Sequence, residues 1–368
     1  MQPGTGQPGA GQGVMVGEYL DRARRSSEFV VIPLLALAAS AALFSLFLLL
    51  LGKSPVDFFA LVWRGGFGTG FSWQNTLVRA SPLIFTALCV AIPARLGMTV
   101  IGGEGALVLG GFAAAAIAIP LTPWASPFLV MPVMVVAAAL AGAAWIGSVG
   151  WLRHYRGINE TISSLLLFYI AVSILNFFVE GALRDPSDPN KPSTAPIGAE
   201  NMIGPMPGTS VHWGLAAGIV VSVLVWILMN RTTFGFAARV TGGNVRAAQG
   251  QGLPVGKLVV VSCALAGACA GLAGYFEVAA IHGKANASLI AGYGFTGILV
   301  SFLARHNPLA IVPVAILLGG IAASGGLVQR RMDLPDATVL VLQGLMFVVL
   351  LVSETLYGRF QIFKPKGT

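Results

Sequence analysis

Apolar residues fall into ten long runs along the chain, and short polar or basic segments separate these runs. We place the runs near residues 29–52, 81–99, 104–121, 126–151, 161–180, 212–230, 257–280, 287–304, 308–327 and 336–357. A helix needs about 20 mostly apolar residues to cross the hydrocarbon core of a bilayer. The pattern therefore predicts an all-α fold, a polytopic helical membrane protein with about ten transmembrane helices.

The composition supports this class. Of the 368 residues, 56% are hydrophobic and only 10% are charged, and the mean hydropathy is +0.81. Soluble domains carry about 25% charged residues, so much of this protein's surface must face lipid. The formal net charge of +8 does not indicate nucleic-acid binding, because the basic residues are scattered between the apolar runs.

Basic residues in the loops predict the orientation. With the N-terminus inside, cytoplasmic segments hold 14 of the 22 Lys and Arg residues and exterior segments hold the other 8. Cytoplasmic loops of membrane proteins carry an excess of basic residues, so we expect both termini in the cytoplasm. Arg330 and Arg331 are exterior in this arrangement, which leaves the topology near residues 328–335 open.

The transmembrane domain is expected to cover residues 29–357. Residues 1–28 begin with a Gly/Pro/Gln-rich stretch and are expected to be a disordered cytoplasmic tail. Residues 358–368 are expected to be a cytoplasmic C-terminal tail. Residues 181–211 lack a helical or strand period, which predicts an irregular exterior loop. The aromatic residues within 53–80 are expected to lie at the membrane interface.

No catalytic or metal-binding constellation is predicted. Cys89, Cys263 and Cys269 each lie inside an apolar run and are expected to be small buried side chains. The His, Cys and Asp residues lack metal-ligand spacing. Residues 252–257 faintly resemble a P-loop, but no Ser or Thr follows Lys257 to hold Mg²⁺. We therefore expect that this chain is not an enzyme and does not hydrolyse ATP by itself.

Glu104, at the start of the third predicted span, is the most informative polar residue. In the sequence it is flanked by Gly102, Gly103 and Gly105. A carboxylate at this place is costly unless it lines a cavity, caps a helix or has a partner. One interpretation is a pair of broken helices beside a solute path, with backbone N–H groups and Glu104 facing water. The other is an N-terminal cap of the third span, with the glycines in a tight turn.

Further polar and aromatic residues have similar alternatives. Asn159 and Glu160 precede an apolar run, which favours helix capping over a gate contact. Asn176 lies within a span and is suited to an interhelical hydrogen bond or to a solute contact. Tyr293 and Phe295 adjoin flexible glycines, so they either stack on a ring-shaped solute or simply pack.

The basic, Gly-rich segment 231–256 is predicted to be a cytoplasmic coupling segment. Its pattern indicates a short helix broken at Gly242 and Gly243, with Asn244 as an N-cap. Such a rigid projection would dock into a partner; the alternative is a basic loop on anionic headgroups. The candidate coupling residues are Arg239, Gly243, Asn244, Arg246, Ala247, Ala248 and Gly252.

Four elements carry a resemblance to a known family. They are Gly243-Asn-x-x-Ala-Ala248 followed by Gly252-Leu253, Gly102-Gly-Glu-Gly105, Asn159-Glu-x-Ile-Ser163, and Tyr293-Gly-Phe-x-Gly-Ile298 followed by Leu303-Ala-Arg-His-Asn-Pro308. In this order they resemble permease subunits of the ribose/branched-chain amino acid branch of ABC importers, and nucleoside importer permeases in particular. The resemblance runs from about Ser81 to Leu356.

The resemblance implies a permease subunit that moves a nucleoside or similar ribose-containing solute inward by alternating access. It implies a second, related permease chain, an exterior solute-binding protein, and separate ATPase subunits that use ATP and Mg; this chain itself would bind no cofactor. The expected location is a bacterial plasma (inner) membrane, with several passes. Segment 231–256 would contact the ATPases. The residues near the translocation path would be Gly102, Gly103, Glu104, Gly105, Asn159, Glu160, Asn176, Tyr293 and Phe295.

Two departures from the family pattern keep other functions open. Ala106 stands where the family usually has Gln, and Thr296 replaces a frequent Asp. A buried site that loses hydrogen-bonding groups should change what it accepts, so a simple-sugar permease is an alternative. An ion-coupled secondary transporter would need an essential carboxylate, with Glu104 or Glu277 as candidates. A structural membrane protein would need none of these groups.

Overall fold

The computed structural model describes residues 31–188 and 191–354. The tails predicted at 1–28 and 358–368 lie outside the described residues. Within the described residues the protein is helical, and its β-structure is limited to isolated bridges. The helices are α1 (Val31–Leu50), α2 (Pro55–Gly66), α3 (Gly70–Ala94), α4 (Gly103–Leu121), α5 (Pro127–Arg156), α6 (Glu160–Glu180), α7 (Gly214–Arg231), α8 (Thr233–Gly243), α9 (Val245–Gly250), α10 (Val255–Phe276), α11 (Tyr293–Leu303), α12 (Pro308–Met332) and α13 (Ala337–Glu354).

The predicted polytopic helical architecture is confirmed. Eight helices among the described residues are long and apolar enough to cross a membrane: α1, α3, α4, α5, α6, α7, α10 with its extension to His282, and α12. The other two predicted spans correspond to shorter apolar helices, Ala287–Leu303 and Ala337–Ser353. Within the first of them, α11 has only 11 residues, or about 16 Å of helix, which is half of a bilayer core.

The second span begins earlier than the sequence pattern predicts. We expected it near residues 81–99, but α3 runs from Gly70 to Ala94. The hydroxyl of Thr69 caps its N-terminus by accepting a hydrogen bond from the Ser72 amide, 3.1 Å. Segment 53–80 is therefore mostly helical, formed by α2 and the first turns of α3.

The chain divides into two compact units. The first comprises Met1–Val56 and Ala337–Thr368, and its described part contains α1 and α13. The second, Asp57–Asp336, contains most of α2 and all of α3 to α12. The candidate residues of the predicted site all lie in this second unit.

Helix α10 is the centre of the second unit, where it packs on α5, α4 and α3. Small residues allow the closest approaches. A Cβ added at Gly267 would collide with the carbonyl oxygen of Gly142, and one at Gly271 with that of Ala138. Close backbone contact through small residues is the usual way in which helices associate within lipid.

The second unit has two distinct ends. At the end that we call the α8 end, Gly242 lies against the backbone of Arg95 and Leu96 at the end of α3. At the opposite end, loop 181–211 contains only one short 3₁₀ helix among its described residues. This loop bonds to the segment after α10, where the Thr194 amide donates to the Ala285 carbonyl, 2.9 Å.

Candidate functional site

A non-helical segment, residues 98–101, packs against the first turn of α6. Asn159 is the N-cap, since its side-chain oxygen accepts hydrogen bonds from the amides of Thr161, 2.9 Å, and Ile162, 3.1 Å. Predicted capping by Asn159 is thus confirmed. Residues 98–101 have no regular structure, and the Ile101 amide donates to the Ser164 hydroxyl, 3.1 Å.

Glu160 is buried and links three elements. Its Oε2 lies 3.2 Å from Arg153 Nε at the end of α5, and its Oε1 accepts from the Thr99 amide at 3.4 Å. Glu160 also lies in the first turn of α6, where a negative charge complements the helix dipole. These contacts give Glu160 a structural role at the α8 end.

The glycines around Glu104 allow helices to approach closely. A Cβ on Gly102 would lie 2.6 Å from the Ser164 carbonyl oxygen, and one on Gly105 would lie 2.9 Å from Phe168 Cα. One on Gly103 would meet Cys89 Sγ at an ordinary 3.5 Å. The glycines do not form the tight turn that one interpretation predicted. Gly102 is the N-cap of α4, and Gly103 and Gly105 are helical.

Glu104 caps a helix other than its own. It lies in the first turn of α4 and is fully buried. Its Oε1 accepts a hydrogen bond from the Gly292 amide, 2.6 Å, and its Oε2 accepts one from the Gly294 amide. These amides belong to the N-terminus of α11, whose first N–H groups have no partner within the helix. The expectation that Glu104 caps the third span is therefore wrong.

Two helix N-termini meet at this carboxylate. Both α4 and α11 direct the positive ends of their dipoles toward Glu104. Thr86, which bonds to the Tyr293 carbonyl at 3.0 Å, lies eight residues before the end of α3, or about 12 Å. Helix α11 thus begins inside the bundle, but Glu104 is fully buried and does not face water as the broken-helix interpretation predicted.

The predicted path residues lie at three levels along α6. Asn159 and Glu160 are at its start, while Glu104 and the first turn of α11 pack near Phe168. The rings of Phe168 and Phe295 are 5.2 Å apart, edge to face. Asn176 is half-buried another eight residues along α6. The structure therefore brings the start of α4, Gly102–Gly105, together with Tyr293 and Phe295, but not with Asn159 or Asn176.

The outer face of α6 was missed by the sequence analysis. Large side chains are exposed there at helical spacing: Ile162, Leu166, Tyr169, Ile170 and Phe177. A surface groove of about 420 Å³ is lined by Tyr169, Ile170, Ser173, Ile174, Phe177 and Phe178. Phe295, with 41% of its surface exposed, continues this aromatic face onto α11. We call it the α6 face; only its helical spacing could have predicted it.

The α7–α10 segment forms the predicted broken helix. Asn244 ends α8 and caps α9, because its side-chain oxygen accepts from the Ala247 amide at 3.1 Å. Ala248 is fully buried, whereas Arg246 and Ala247 are exposed. We call this turn, residues 243–252, the α8–α9 corner. Gly252 closes it with a left-handed φ of +76°, a conformation that favours glycine.

Arg239, a candidate coupling residue, is exposed and also bonds to α7. Its Nη1 donates to the Met229 carbonyl at 2.8 Å, so it caps the C-terminus of α7 and ties α8 to that helix. A Cβ added at Gly243 would find no atom within 4 Å. The corner is therefore anchored on one side and open on the other.

An arginine and a histidine join α3 to the turn before α12. Arg95 Nη2 donates to the His306 carbonyl at 3.4 Å, and His306 Nδ1 lies 2.9 Å from the Ser301 hydroxyl. Burial, together with the nearby charges of Arg95 and Arg305, lowers the pKa of His306 to about 4. His306 is therefore neutral at physiological pH, and no sequence motif indicated this role.

His306 should make the folded protein sensitive to acid. Because its pKa is lowered on folding, the unfolded chain binds the proton more readily between pH 6.5 and about 4. Stability is then complete above pH 6.5 and is lost as pH falls, by on the order of 1–3 kcal/mol. His306→Asn, which tolerates the positive φ of 55°, should show a smaller drop in melting temperature between pH 7.5 and 5. Equal drops for both proteins would contradict this account.

The three cysteines are buried and unpaired by disulfides, as predicted. Among the described residues, no group of three or more His, Cys, Asp or Glu side chains could hold a metal ion.

Comparison with known proteins agrees with this architecture. The family model described as branched-chain amino acid transport system / permease component matches residues 72–351. A glucose ABC transporter permease protein of Haloferax volcanii is 30% identical over 90% of this chain and 89% of its own length. A guanosine ABC transporter permease protein of Bacillus subtilis is 28% identical over 92% and 97%, respectively.

A third relative extends the same group. A nucleoside ABC transporter permease protein of Lactococcus lactis is 26% identical over 78% of this chain and 81% of its own length. The family match covers most of the second unit, including Glu104, the α6 face and the α8–α9 corner. The chain therefore belongs to the branched-chain amino acid transport system / permease component family and is a multi-pass plasma-membrane permease subunit of an ABC importer.

Proposed function

We propose that this permease moves a nucleoside or similar ribose-containing solute inward by alternating access, driven through the α8–α9 corner. The family implies ATPase and solute-binding partners in general terms. In our proposal the ATPases are separate subunits that use ATP and Mg, and this chain binds no cofactor. A second, related permease chain and an exterior solute-binding protein complete the transporter, with both termini of this chain in the cytoplasm.

The observation that carries the docking proposal is the corner's combination of anchoring and exposure. Gly242 contacts the Arg95–Leu96 backbone, and the Leu253 amide donates to the Ala248 carbonyl at 3.1 Å. Gly243, Gly250 and Gly252 face open space. A rigid projection of this kind transmits a push to α3 and α7, whereas a mobile loop would absorb it.

Charge supports a cytoplasmic position for this end. Eight basic residues lie at the α8 end of the second unit, and Glu160 is the single acidic residue there among those described. The basic residues are Arg95, Arg153, Arg156, Arg231, Arg239, Arg246, Lys257 and Arg305. The excess follows the positive-inside rule and suits an acidic surface on an ATPase.

The α6 face is proposed as one wall of the translocation path. Its groove has the volume of a small-ligand site, for which about 300–1,000 Å³ is usual, but it is open on one side. A second permease facing α6 would close it. The groove is lined by apolar and aromatic side chains together with Ser173, which suits an uncharged solute that presents a ring for stacking.

A simple sugar is the alternative solute. The glucose permease relative favours it, and aromatic rings also pack on sugar C–H faces. Competition separates the two: excess unlabelled nucleoside should suppress uptake of a labelled nucleoside, and excess glucose should not. Uptake of labelled glucose, with no uptake of the labelled nucleoside, would favour the sugar.

An ion-coupled secondary transporter is less well supported. Such a carrier needs an intramembrane carboxylate that can exchange protons or ions. Both oxygens of Glu104 already accept backbone hydrogen bonds, so neither is free to bind an ion. Glu277 is 3% exposed, so it has little access to water from which to exchange a proton or ion.

Substitutions on the open side of the corner test the docking proposal. Gly243→Trp and Ala247→Arg should each lower uptake about tenfold or more, because a docked surface loses complementarity at its centre. The folded protein should persist, since Gly243 faces open space and Ala247 is exposed. The measurement is solute uptake per folded transporter.

Gly344→Trp is the matched control. A Cβ at Gly344 also meets no atom within 4 Å, but this residue lies in α13, far along the chain from the corner. The Gly344→Trp protein should therefore retain solute uptake. Normal uptake by both corner variants would refute the docking proposal.

A further inference from the structure

Helix α10 ends in a π-helical turn, Glu277–His282. The Gly283 amide donates to the carbonyl of Val278, five residues earlier, at 2.8 Å. Turns of this kind are rare and are frequently found at functional sites. Neither the solute path nor the α8–α9 corner explains this one.

One side-chain contact can exist only in the π-helical form. His282 Nε2 lies 3.5 Å from Glu277 Oε2, although five residues separate them. In an α-helix, residues five apart point about 140° away from each other. The wider π turn returns them to the same side. The contact therefore stabilises the π form relative to the α form.

Other groups also contribute to the stability of the π turn. The Ile203 amide of loop 181–211 donates to the Ala279 carbonyl at 2.8 Å, and the Ile197 amide to the Gly283 carbonyl at 2.9 Å. Against this, Glu277 Oε1 is buried without a hydrogen-bond partner, which is costly. These contributions to the stability of the π turn therefore oppose one another.

The turn is connected to the start of α11 by a short link. Residues 283–292 lead directly from it to Gly292, whose amide donates to Glu104. A π turn contains one more residue than an α turn. Its conversion would rotate the following residues by about 100° and shift them by about 1.5 Å. The combined displacement is about 4 Å at the backbone, enough to move the start of α11 relative to Glu104.

We propose that Glu277–His282 is a hinge that changes between π and α forms during the transport cycle. In this proposal Glu277 and His282 are positioning residues: their contact is a clasp that holds the π form and the start of α11. The inference uses the family's transport activity, but neither the docking of the α8–α9 corner nor the identity of the solute.

Distance measurement between two spin labels tests the hinge. Ser288→Cys places one label in the exposed link after the turn, and Leu140→Cys places the other on α5, where Leu140 is 64% exposed. The native cysteines are buried and should stay unlabelled. In the complete transporter we expect two distances that differ by up to about 4 Å, whose populations change when ATP is added.

Variants then test the clasp itself. Without nucleotide, the His282→Gln protein should show more of the second label-to-label distance than the unsubstituted protein. The double variant Glu277→His, His282→Glu exchanges the two side chains and should restore the original distribution of distances. If His282→Gln acted only through lost packing, the exchange would not restore that distribution. Lys284→Gln is the control, because it breaks the neighbouring ion pair with Asp188, 3.4 Å, but leaves the clasp intact.

Two results would overturn the hinge. One is a single distance in the unsubstituted protein with and without ATP, which needs no variant to be interpretable. The other is a distribution of label-to-label distances in the His282→Gln protein that matches the distribution in the Lys284→Gln protein. Neither result bears on docking at the α8–α9 corner, which is tested by uptake.

Discussion

Glu104→Ala is expected to remove most of the folded permease from the membrane. The substitution leaves the Gly292 and Gly294 amides of α11 without their acceptor inside the bundle. A buried N–H donor that loses its acceptor and cannot turn to water costs about 1–3 kcal/mol. The measurement is the amount and melting temperature of monodisperse protein after extraction in mild detergent.

Glu104→Gln should give an intermediate result. Its amide oxygen can accept one of the two hydrogen bonds, but its NH₂ group then faces the second N–H donor. Any uptake that this variant retains should remain dependent on ATP. Glu180→Ala is the control, since Glu180 is exposed at the end of α6. A Glu104→Ala protein as stable as the Glu180→Ala protein would refute the capping role.

Gly267→Val is expected to have an effect of similar size. A Cβ at Gly267 collides with the Gly142 carbonyl oxygen and lies 2.9 Å from Ile146 Cβ. Because backbone atoms cannot move aside as a flexible side chain can, α10 must separate from α5. Overpacking usually costs about 1–3 kcal/mol, and separation of the central helices should exceed that. Thermal unfolding in detergent measures the loss.

The same helix pair provides a matched control. Gly147 of α5 faces Ala264 of α10, and a Cβ there would meet the Ala264 Cβ at 3.5 Å, an ordinary contact. Gly147→Ala should therefore leave the melting temperature unchanged or raise it, since alanine favours a helix by about 1 kcal/mol over glycine. Equal losses for both variants would mean that the α5–α10 contact is looser than described.

Local features of the site could be predicted from sequence. The caps formed by Asn159 and Asn244 depend on amides two or three residues away, so the nearby residues are sufficient to indicate them. The apolar runs likewise predicted most spans, because length and hydropathy are local properties. The break between α8 and α9 followed from glycines beside an N-cap residue.

Long-range features could not be predicted in this way. Glu104 bonds to residues 188 and 190 positions away, and no local pattern shows which of several unpaired helix ends it reaches. Hydropathy made residues 287–304 resemble a full span because the apolar run includes the short 3₁₀ helix and the loop before α11. The π turn has an ordinary apolar sequence around Glu277, and its partners come from loop 181–211.

The most direct test of the central proposal is photo-cross-linking from the α8–α9 corner. A benzophenone amino acid at Ala247, which is exposed, would be irradiated in native membranes, and the products identified by mass spectrometry. We expect a cross-link to an ATP-binding-cassette ATPase subunit, absent when the same probe replaces Leu140 on α5. Cross-links from Ala247 to lipid alone would show that the corner is a basic loop at the headgroups and would contradict the coupling role.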